Sequence, residues 1–402
     1  MNSSSTANMP ARVMVIVPVY RNLNATEKCI ESLIASDLPD NTDVTIINDQ
    51  SPEQDLSDYC TTAAARAGFN IVINQENLGF VKTANLGFAL APEADIVLLN
   101  SDTVVSNDWL QRLQGCAYQD ESIGTVTPFS NNGTICSYPV FPISNELPNG
   151  WSAQQLDSAF QLANSGSYAE LPTGVGFCLY LKRGCLNDTG LFDEENFGLG
   201  YGEECDFSVR ASARDWKHVI AADVFVYHEG GASFALESDE RKIKADKIMH
   251  RLHPHYDDLV SNFLHSDPLY TLRSQVDTER LKQRPSDSSA IFEEHRRYSI
   301  TLLKRLNEMQ STLSMEKDQR RQLDAALADA ENLLQNLNRE LVDTSSGLKD
   351  AQDVVDNLNL ELKRIDADLH DNKVLAEQLT QKIELMEQSR SWRYTAWMRK
   401  GK

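Results

Sequence analysis

The sequence predicts an α/β domain with a mostly parallel central sheet, followed by a long α-helical coiled coil. Three observations support this fold class. Short apolar runs such as residues 13–19 and 96–99 alternate with amphipathic helical stretches, as in parallel sheets whose strands are buried on both faces. Each of these runs ends in polar residues. From residue 301 to residue 390, apolar residues recur at alternating steps of four and three, which is the pattern of a coiled coil.

Composition divides the chain at the same place. Most aromatic residues and all seven cysteines lie between residues 12 and 275, whereas residues 301–390 are nearly free of aromatic residues, glycine and proline. The predicted organisation is a disordered N-terminus, a globular domain, a linker, a coiled coil and a basic, aromatic C-terminal segment. Their predicted bounds are 1–11, 12–275, 276–300, 301–390 and 391–402.

Charge and segment type exclude several classes of protein. The formal net charge of −21 argues against nucleic-acid binding, which needs a basic face. The N-terminus lacks the apolar core of a signal peptide, and no stretch approaches the roughly 20 apolar residues that span a bilayer. A cytoplasmic location is therefore predicted. The aromatic and basic end, 391–402, adds peripheral contact at the inner face of the cell membrane.

The first predicted strand, 13–19, ends in Pro18 and Val19 and is followed by Tyr20 and Arg21. An amphipathic helix comes next. The turn between them contains no glycine, so the G-x-G-x-x-G fingerprint of a dinucleotide site is absent. The main sequence evidence for binding of NAD or FAD is therefore missing.

The second predicted strand, 44–48, is followed by Asp49. A carboxylate at a strand end can accept hydrogen bonds from a nucleotide base or ribose, although Asp is also an ordinary turn residue. Beyond a third strand, Asn77 and Gly79 form a turn before a helix. Lys82 in the first turn of that helix is within reach of a phosphate, or is a solvated surface charge.

The fourth predicted strand stops at Asn100, Ser101, Asp102 and Thr103, a polar tetrad. Ligands of open α/β sheets bind at the carboxyl ends of the strands. Asp102 is a hard oxygen ligand suited to Mg²⁺ or Mn²⁺ beside a phosphate. The alternative is ordinary turn or helix-cap chemistry.

The second half of the globular region carries another polar group. Residues 135–170, with three prolines, are predicted to form an irregular loop region over the site. After a glycine-rich run come Glu203, Glu204 and Asp206 at the start of a helix. These acids either complement the helix N-terminus or, if buried, include a general base. His228 follows the last strand, at a position suited to a site.

Eight motifs occur in an order that resembles family 2 inverting glycosyltransferases with the GT-A fold. They are VMVIVPVYRN, INDQS, NLGF, LLNSDT, SNNGT, PTGVGFCLYL, GYGEECDFSVRA and VYHEGG. The resemblance covers roughly residues 12–275 and is greatest for bacterial enzymes of O-antigen and related polysaccharide synthesis, rhamnosyltransferases among them. It implies a Rossmann-like sheet. It also implies transfer of a hexose, with rhamnose a candidate, from a UDP- or dTDP-linked donor to a cell-surface polysaccharide or a lipid-linked glycan.

The resemblance assigns site residues position by position. Asp102 stands at the metal-binding acid of the family's DXD motif, and Asn100 replaces the first acid. Glu203 and Glu204 take the place of an acidic pair, with Glu204 as the catalytic base. Asp206 joins the catalytic candidates, and His228 completes the metal site. The nucleotide-sugar site comprises Pro18, Val19, Tyr20, Arg21, Asp49, Asn77, Gly79, Lys82, Asn100, Ser101 and Asp102.

The mechanism implied by the resemblance is a single displacement. A divalent metal, Mn²⁺ or Mg²⁺, on Asp102 and His228 neutralises the diphosphate leaving group, and Glu204 takes the proton of the attacking hydroxyl. A nucleotidyltransferase is disfavoured because the first turn is not a glycine-rich basic loop. A coiled-coil scaffold or assembly protein with an inactive transferase-like head is the alternative that stays open.

The coiled coil predicts association with copies of this chain or with a partner protein. A hairpin at residues 344–347 is the alternative to a straight helix, which is favoured because the register passes through unbroken. Leucine at both core positions does not distinguish two strands from three. The C-terminal segment resembles a short element that follows coils in similar bacterial enzymes, which is consistent with a fragment of a larger protein.

Overall fold

A computed structural model describes residues 11–198, 200–230 and 235–388 of the chain. The chain divides into two compact units, Met1–Lys304 and Arg305–Lys402. The predicted disordered N-terminus lies outside the described residues except for Ala11. The predicted C-terminal segment, 391–402, lies outside them entirely.

Strands and helices alternate along the first unit, as the apolar runs predict. The strands are β1 (Val13–Val19), β2 (Thr42–Asn48), β3 (Asn70–Ile73), β4 (Asp95–Leu99), β5 (Thr103–Val104), β6 (Ile123–Phe129), β7 (Tyr168–Leu171), β8 (Cys178–Leu181), β9 (Lys217–Phe225) and β10 (Tyr227–His228). The helices are α1 (Leu23–Ala35), α2 (Gln54–Ala67), α3 (Phe80–Leu90), α4 (Trp109–Ala117), α5 (Ala153–Asn164), α6 (Arg183–Thr189), α7 (Glu194–Phe197), α8 (Glu203–Ser212), α9 (Ala235–Leu252), α10 (Tyr256–Ser266), α11 (Tyr270–Gln283) and α12 (Ser288–Gln388).

The central sheet confirms the predicted fold class. Its eight strands have the order β3-β2-β1-β4-β8-β6-β9-β7. Strand β1 pairs in parallel with both β2 and β4, β2 pairs in parallel with β3, and β6 pairs in parallel with β9. Strand β8 runs antiparallel between β4 and β6, and β7 runs antiparallel at one edge. Six of the eight strands therefore share one direction, and their carboxyl ends lie at one edge.

Apolar cores cover both faces of this sheet. In β1, Val13 and Val15 belong to one buried cluster, while Ile16 belongs to the other. In β4, Val97 faces the first cluster and Leu98 the second. Burial on both faces explains why these strands are continuous apolar runs and not alternating ones.

The region predicted as irregular, 135–170, contains regular structure as well as loops. It includes α5 and the edge strand β7. Ser152 begins α5 with a capping box, in which its hydroxyl accepts from Gln155 and the Gln155 side chain accepts from Ser152. Phe160 on this helix is fully buried. The three prolines all precede Ser152, so they do not interrupt the helix.

The stretch predicted as a linker, 276–300, is helical and held by buried charges. Arg280 in α11 is fully buried. Its guanidinium donates to Glu294 in the first turns of α12, at 2.7 Å, and to the hydroxyl of Tyr138, at 2.8 Å. That hydroxyl donates in turn to Asp277, at 2.6 Å. Long-range ion pairs of this kind leave no mark in the periodicity of a sequence.

Helix α12 is continuous through residues 344–347, where the sequence left a hairpin open. Beyond Arg305 the described side chains of the helix are exposed. The coiled coil therefore remains a prediction, while the long helix is observed. No described helix is both long enough and apolar enough to cross a bilayer.

We expect Arg280→Met to lower the free energy of unfolding by about 3–5 kcal/mol, because Glu294 and Asp277 would lose their buried cation. The control is Arg296→Met, which removes an exposed arginine that pairs with Glu293. Its expected cost is below about 1 kcal/mol. Chemical denaturation of the whole chain measures both. Equal losses would contradict a structural role for the Arg280 network.

Candidate active site

Two short strands bring Asp102 and His228 together. Strand β10 pairs antiparallel with β5, with His228 opposite Thr103. The next residue, Glu229, donates its backbone N–H to the carbonyl of Asp102, at 2.9 Å. The His228 Nε2 then lies 3.3 Å from the Asp102 Oδ1, and both side chains are mostly buried. The pair stands just beyond the carboxyl end of β4.

Neighbouring residues orient the His228 ring. Its Nδ1 lies 2.7 Å from the carbonyl oxygen of Asn132, which can only accept, so Nδ1 carries a proton. The Asn131 side chain accepts from the His228 backbone N–H at 2.8 Å and donates to its carbonyl at 2.9 Å. The ring of Phe177 stacks on the imidazole, with centroids 5.3 Å apart. The Nε2 is therefore directed at Asp102.

The two groups shift each other's pKa. Burial by itself would raise the pKa of Asp102, but the hydrogen bond and charge of His228 outweigh burial and lower it. Burial would lower the pKa of His228, but the hydrogen bond and charge of Asp102 raise it. The pair thus favours a carboxylate beside a cation. A metal ion would compete for the same place as the Nε2 proton.

A second acidic group lies at the start of α8. Glu203 is 4% exposed, Glu204 is half-buried, and the Oε2 atom of each has no hydrogen-bond partner. Burial raises the pKa of both carboxyl groups, and the charge of Glu204 raises that of Glu203 further. Gly202, with φ +90°, precedes the helix in a conformation that favours glycine. Both carboxyl groups therefore hold a proton more readily than an exposed glutamate does.

The segment Gly176–Phe177 joins the two acidic groups. A Cβ placed on Gly176 would lie 3.6 Å from the Glu204 carboxyl carbon, so the backbone there lies close to that carboxyl group. Phe177 stacks on His228, and its carbonyl accepts the backbone N–H of Asn100 at 2.9 Å. Adjacent residues of one short segment thus contact Glu204 on one side and the Asp102–His228 pair on the other.

Asp206, another predicted catalytic residue, is engaged differently. Its carboxylate accepts from Arg210 Nε at 2.8 Å and lies 2.8 Å from His253 Nε2. Asp206 is 2% exposed. Each of its oxygens thus has a partner, in contrast to Glu203 and Glu204. The contacts tie α8 to the end of α9.

Asp49 organises the loop before α3. Its Oδ1 accepts from the backbone N–H of Leu78 at 2.8 Å and from the Asn74 side chain at 2.8 Å. Its Oδ2 accepts from the N–H of Gly79 at 2.9 Å. Gly79 has φ +81°. Asp49 therefore holds the end of β2, the end of β3 and the following loop together.

The other predicted nucleotide-sugar residues lie along the same edge of the sheet. Pro18 and Val19 end β1, which pairs with β2 up to the residue before Asp49. The guanidinium of Arg21 stands 5.3 Å from the ring centroid of Tyr20. The remaining members also lie at strand ends or at the start of α3, with Asn100 and Ser101 half-buried and Asn77 and Lys82 exposed.

Sequence reasoning assigned no role to four residues that complete this arrangement: Asn131, Asn132, Gly176 and Phe177. Asn131 and Asn132 lie in the SNNGT motif and Gly176 and Phe177 in the PTGVGFCLYL motif, which was the available signal. The partner of Asn131 is 97 residues away in the chain. Such a contact depends on the packing of strands and cannot be derived from local spacing.

The mostly parallel sheet with helices on both faces has the architecture of the GT-A fold. The sequence profile described as "Glycosyltransferase like family 2" matches residues 10–242, more than half of the chain. The chain belongs to that glycosyltransferase family. No curated protein sequence matches it at a significant level.

Three solved structures are similar at low identity. The mannosyltransferase PcManGT from Pyrobaculum calidifontis in complex with GDP-Man and Mn²⁺ has 14% identity and a TM-score of 0.45, over 74% of this chain and 81% of that one. GalNAc-T7 with UDP, GalNAc and Mn²⁺ has 12% identity and a TM-score of 0.46, over 70% of this chain and 58% of that one. S. aureus TarS has 17% identity and a TM-score of 0.43, over 63% of this chain and 43% of that one. The chain thus spans less than two thirds of the latter two. The family assignment rests on the profile.

We expect Glu203→Gln to stabilise the protein at pH 8 and to have little effect at pH 5. Folding raises the pKa of Glu203 well above its ordinary 4.5, so folding stability is lost as pH rises from 4.5 through that raised value. Glutamine carries no such penalty. Each 1 kcal/mol relieved should raise Tm by about 2–4 °C.

Thermal unfolding at the two pH values measures this difference. The control is Glu195→Gln, which changes an exposed carboxylate on α7 and should give the same Tm difference at both pH values. A Glu203→Gln protein that loses stability at pH 8 would contradict the raised pKa.

Proposed function

We propose that the chain is an inverting, metal-dependent hexosyltransferase that uses a nucleoside-diphosphate sugar. The donor is UDP- or dTDP-linked, with rhamnose as one candidate sugar. The acceptor is a hydroxyl of a growing cell-surface polysaccharide or of a lipid-linked glycan. Membership of the glycosyltransferase family supports the reaction class. The pairing of Asp102 with His228 at the carboxyl edge of the sheet is the observation that carries the metal-dependent mechanism.

The donor atoms of this pair fit a divalent cation. His228 donates its Nδ1 proton to a backbone carbonyl, the usual outer contact of a metal-bound histidine, which leaves Nε2 as ligand. Asp102 offers a carboxylate oxygen 3.3 Å away. No cluster of three or more His, Cys, Asp or Glu side chains suited to a metal occurs among the described residues. Two protein ligands leave coordination positions for diphosphate oxygens and water, as Mg²⁺ and Mn²⁺ sites in nucleotide enzymes often do.

When bound, the metal would supply Lewis-acid neutralisation of charge on the diphosphate. Asp102 and His228 would hold it, and Asn131 and Asn132 would keep the imidazole in the required orientation. Phe177 covers one face of the ring and limits the access of water. Asn100 contributes no charge, so the site depends on Asp102 more than a site with two acids would.

Glu204 is the proposed base. Its raised pKa lets it take the proton of the acceptor hydroxyl as that oxygen bonds to the anomeric carbon. The bond between that carbon and the diphosphate oxygen breaks at the same time, and its electron pair leaves with the diphosphate. We favour Glu204 over Glu203 because it is the more exposed of the two and lies beside Gly176, next to Phe177. Asp206, with both oxygens engaged, would position α8.

The nucleotide would lie along the ends of β1 and β2. The proposed contacts are the segment from Pro18 to Arg21 and the loop that Asp49 holds, with Lys82 in the first turn of α3. The Asp49 carboxylate already accepts three hydrogen bonds from the protein. We therefore expect Asp49 to act on the nucleotide chiefly by shaping the loop around Gly79.

An inactive transferase-like head on a coiled-coil scaffold is the rival function. Two adjacent carboxyl groups, each with a buried oxygen that has no hydrogen-bond partner, are costly to a fold. A scaffold has no use for them, whereas an enzyme needs a base with a raised pKa. Action at the inner face of the membrane rests on residues 391–402, which lie outside the described part of the chain.

We expect isothermal titration of the whole chain to show Mn²⁺-dependent binding of UDP or dTDP. Asp102→Asn should remove the Mn²⁺-dependent part of the binding, because it removes the one charged oxygen ligand. Glu204→Gln should retain binding but transfer the sugar about 10²- to 10⁴-fold more slowly. An active Glu204→Gln enzyme would remove the base assignment. A folded wild type that binds neither nucleotide would favour the scaffold.

We expect Asn131→Ala to weaken Mn²⁺ binding about 10- to 100-fold, because the backbone of His228 loses both of its contacts with that side chain. Mn²⁺ titration in the presence of nucleotide measures the change. The control is Asn164→Ala, which removes a buried amide that donates to two backbone carbonyls, those of Ala222 and Leu272. It should lower stability and leave Mn²⁺ affinity unchanged. Equal effects on Mn²⁺ affinity would show a general loss of structure instead.

A further inference from the structure

Helix α12 presents a long apolar seam to solvent within its second-unit part. Leu323 and Leu341 are 70% exposed, and Leu348 is 73% exposed. A helix of this length gains its stability from burial of an apolar face and not from helix propensity. The seam consists of Leu306, Met309, Leu313, Leu323, Leu327, Ala330, Leu334, Leu337, Leu341, Leu348, Ala351, Val355, Leu358, Leu362, Ile365, Leu369, Ala376, Leu379 and Ile383.

The seam follows one heptad register from residue 306 to residue 383. Leu306 is at position a and Met309 at position d, and each later member follows in steps of four and three. The helix is unbroken through Gly347, so the register is not interrupted in space. Four polar residues take core positions: Glu316, Arg320, Thr344 and Asn372.

Acidic charge is concentrated away from the seam. More than half of the acidic residues between 305 and 385 take positions b, c and f, which point outward in a coiled coil. They are Glu308, Asp318, Asp329, Asp343, Asp350, Asp353, Asp356, Asp371, Glu377 and Glu384. The seam can therefore meet another strongly acidic helix, including its own copy, without bringing most of the negative charge into contact.

The polar core residues discriminate between orientations. In a parallel, in-register pair, the two Glu316 residues share one layer and the two Arg320 residues share the next, so each Glu316 has an Arg320 of the other copy one layer away, and the Asn372 residues face each other. A full-length antiparallel pair places Arg320 opposite Asn372 and Glu316 opposite Ala376, so neither charged layer meets an opposite charge. Buried charges need opposite partners, and a paired core Asn favours one register. The parallel pair therefore matches polar layers with polar layers.

The flanking positions agree with this orientation. The full-length antiparallel pair sets Lys317 against Lys373 and Asp324 against Asp366 at positions e. In the parallel pair, Asp368 at position g meets Lys373 at position e of the other copy, and Glu361 at g meets Asp366 at e, so one attraction stands against one repulsion where the antiparallel pair has two repulsions. Charges that face each other across e and g positions set orientation. Two strands are favoured over three because a charged layer is less enclosed in a dimer.

We propose that residues 306–383 form a parallel, in-register, two-stranded coiled coil with a second copy of this chain. The occupant is a second copy because identical chains in register bring each Glu316 within one layer of an Arg320 and place the Thr344 and Asn372 residues opposite their own copies. This inference does not depend on the glycosyl-transfer chemistry. The oligomeric state can therefore be tested independently of the proposed function.

Disulfide trapping tests the orientation. The native cysteines all lie in the first unit, six of them buried and Cys205 half-buried, so an introduced cysteine in the helix is distinguishable from wild type. Ala376→Cys, at position a, should give a disulfide-linked dimer under mild oxidation. Ala367→Cys, at the outward position f, is the matched control and should not. In a mixture of Glu316→Cys chains and Ala376→Cys chains, a disulfide that joins position 316 to position 376, identified by peptide mass spectrometry, should form only if the pair is antiparallel.

Mass measurement by light scattering tests the strand number. The wild type should have twice the chain mass of 45.1 kDa. Leu334→Asp with Leu341→Asp, two core positions, should reduce it to the mass of one chain, whereas Leu360→Asp at position f should not change it. A monomeric or trimeric wild type would overturn the proposal. So would linkage in the Glu316→Cys and Ala376→Cys mixture without linkage of Ala376→Cys alone.

Discussion

Burial of the central sheet on both faces is the constraint on which the rest of the domain depends. Strands β1 and β4 have apolar side chains toward both cores, so these two strands leave little room for polar groups along their length. Functional groups must therefore stand beyond the strand ends, where the backbone turns and water has access. Because β1, β2 and β4 run in one direction, their ends deliver Val19, Asp49 and Asn100 to one edge. The short pair β5–β10 adds His228 beside Asp102 at that edge.

The polar groups at this edge are of two kinds: some hold the surrounding segments in place, and others are available for chemistry. Asp49, Asn131 and Asp206 have their polar atoms taken by neighbours, and each joins segments that are distant in sequence. Glu203 and Glu204 instead keep oxygens without partners, at a cost to stability. Natural proteins accept such a cost where function requires it. The contrast in hydrogen bonding separates the two kinds of residue more clearly than residue type does.

The two units rely on different sources of stability. The first unit buries two apolar cores and a set of internal ion pairs, including Arg280 with Glu294. The second unit, taken as a single chain, buries no such core among its described residues and has exposed leucine side chains, most of them on the seam. A long helix of this kind gains from association what a globular unit gains from its interior. Polar and charged residues are placed asymmetrically along this helix, and their placement favours a parallel pair over an antiparallel one.

A large part of the fold could be predicted from the sequence, but less of the site. The apolar runs predicted most strands of the central sheet and its mostly parallel direction, because continuous burial leaves a local pattern. They missed α5 because three nearby prolines suggested a loop, although all of them lie before its capping residue Ser152. The stretch 276–300 was predicted to be a linker because ion pairs such as Arg280 with Glu294 leave no periodic pattern in the sequence. The heptads from residue 306 predicted the long helix because a repeated apolar position, like a buried strand, leaves a local pattern in the sequence.

By itself, the sequence determined which residues stand at strand ends and helix starts, and so which side chains were candidates for chemistry. Periods of two and of 3.6 residues are properties of neighbouring residues, and they survive in the sequence. Only the tertiary structure decided how the candidates are used. It directed Nε2 of His228 at Asp102 through a contact with Asn132, occupied Asp206 with Arg210 and His253, and left Glu204 beside Gly176. Those contacts join residues from separate strands and loops, so they exist only once the chain has closed around its two cores.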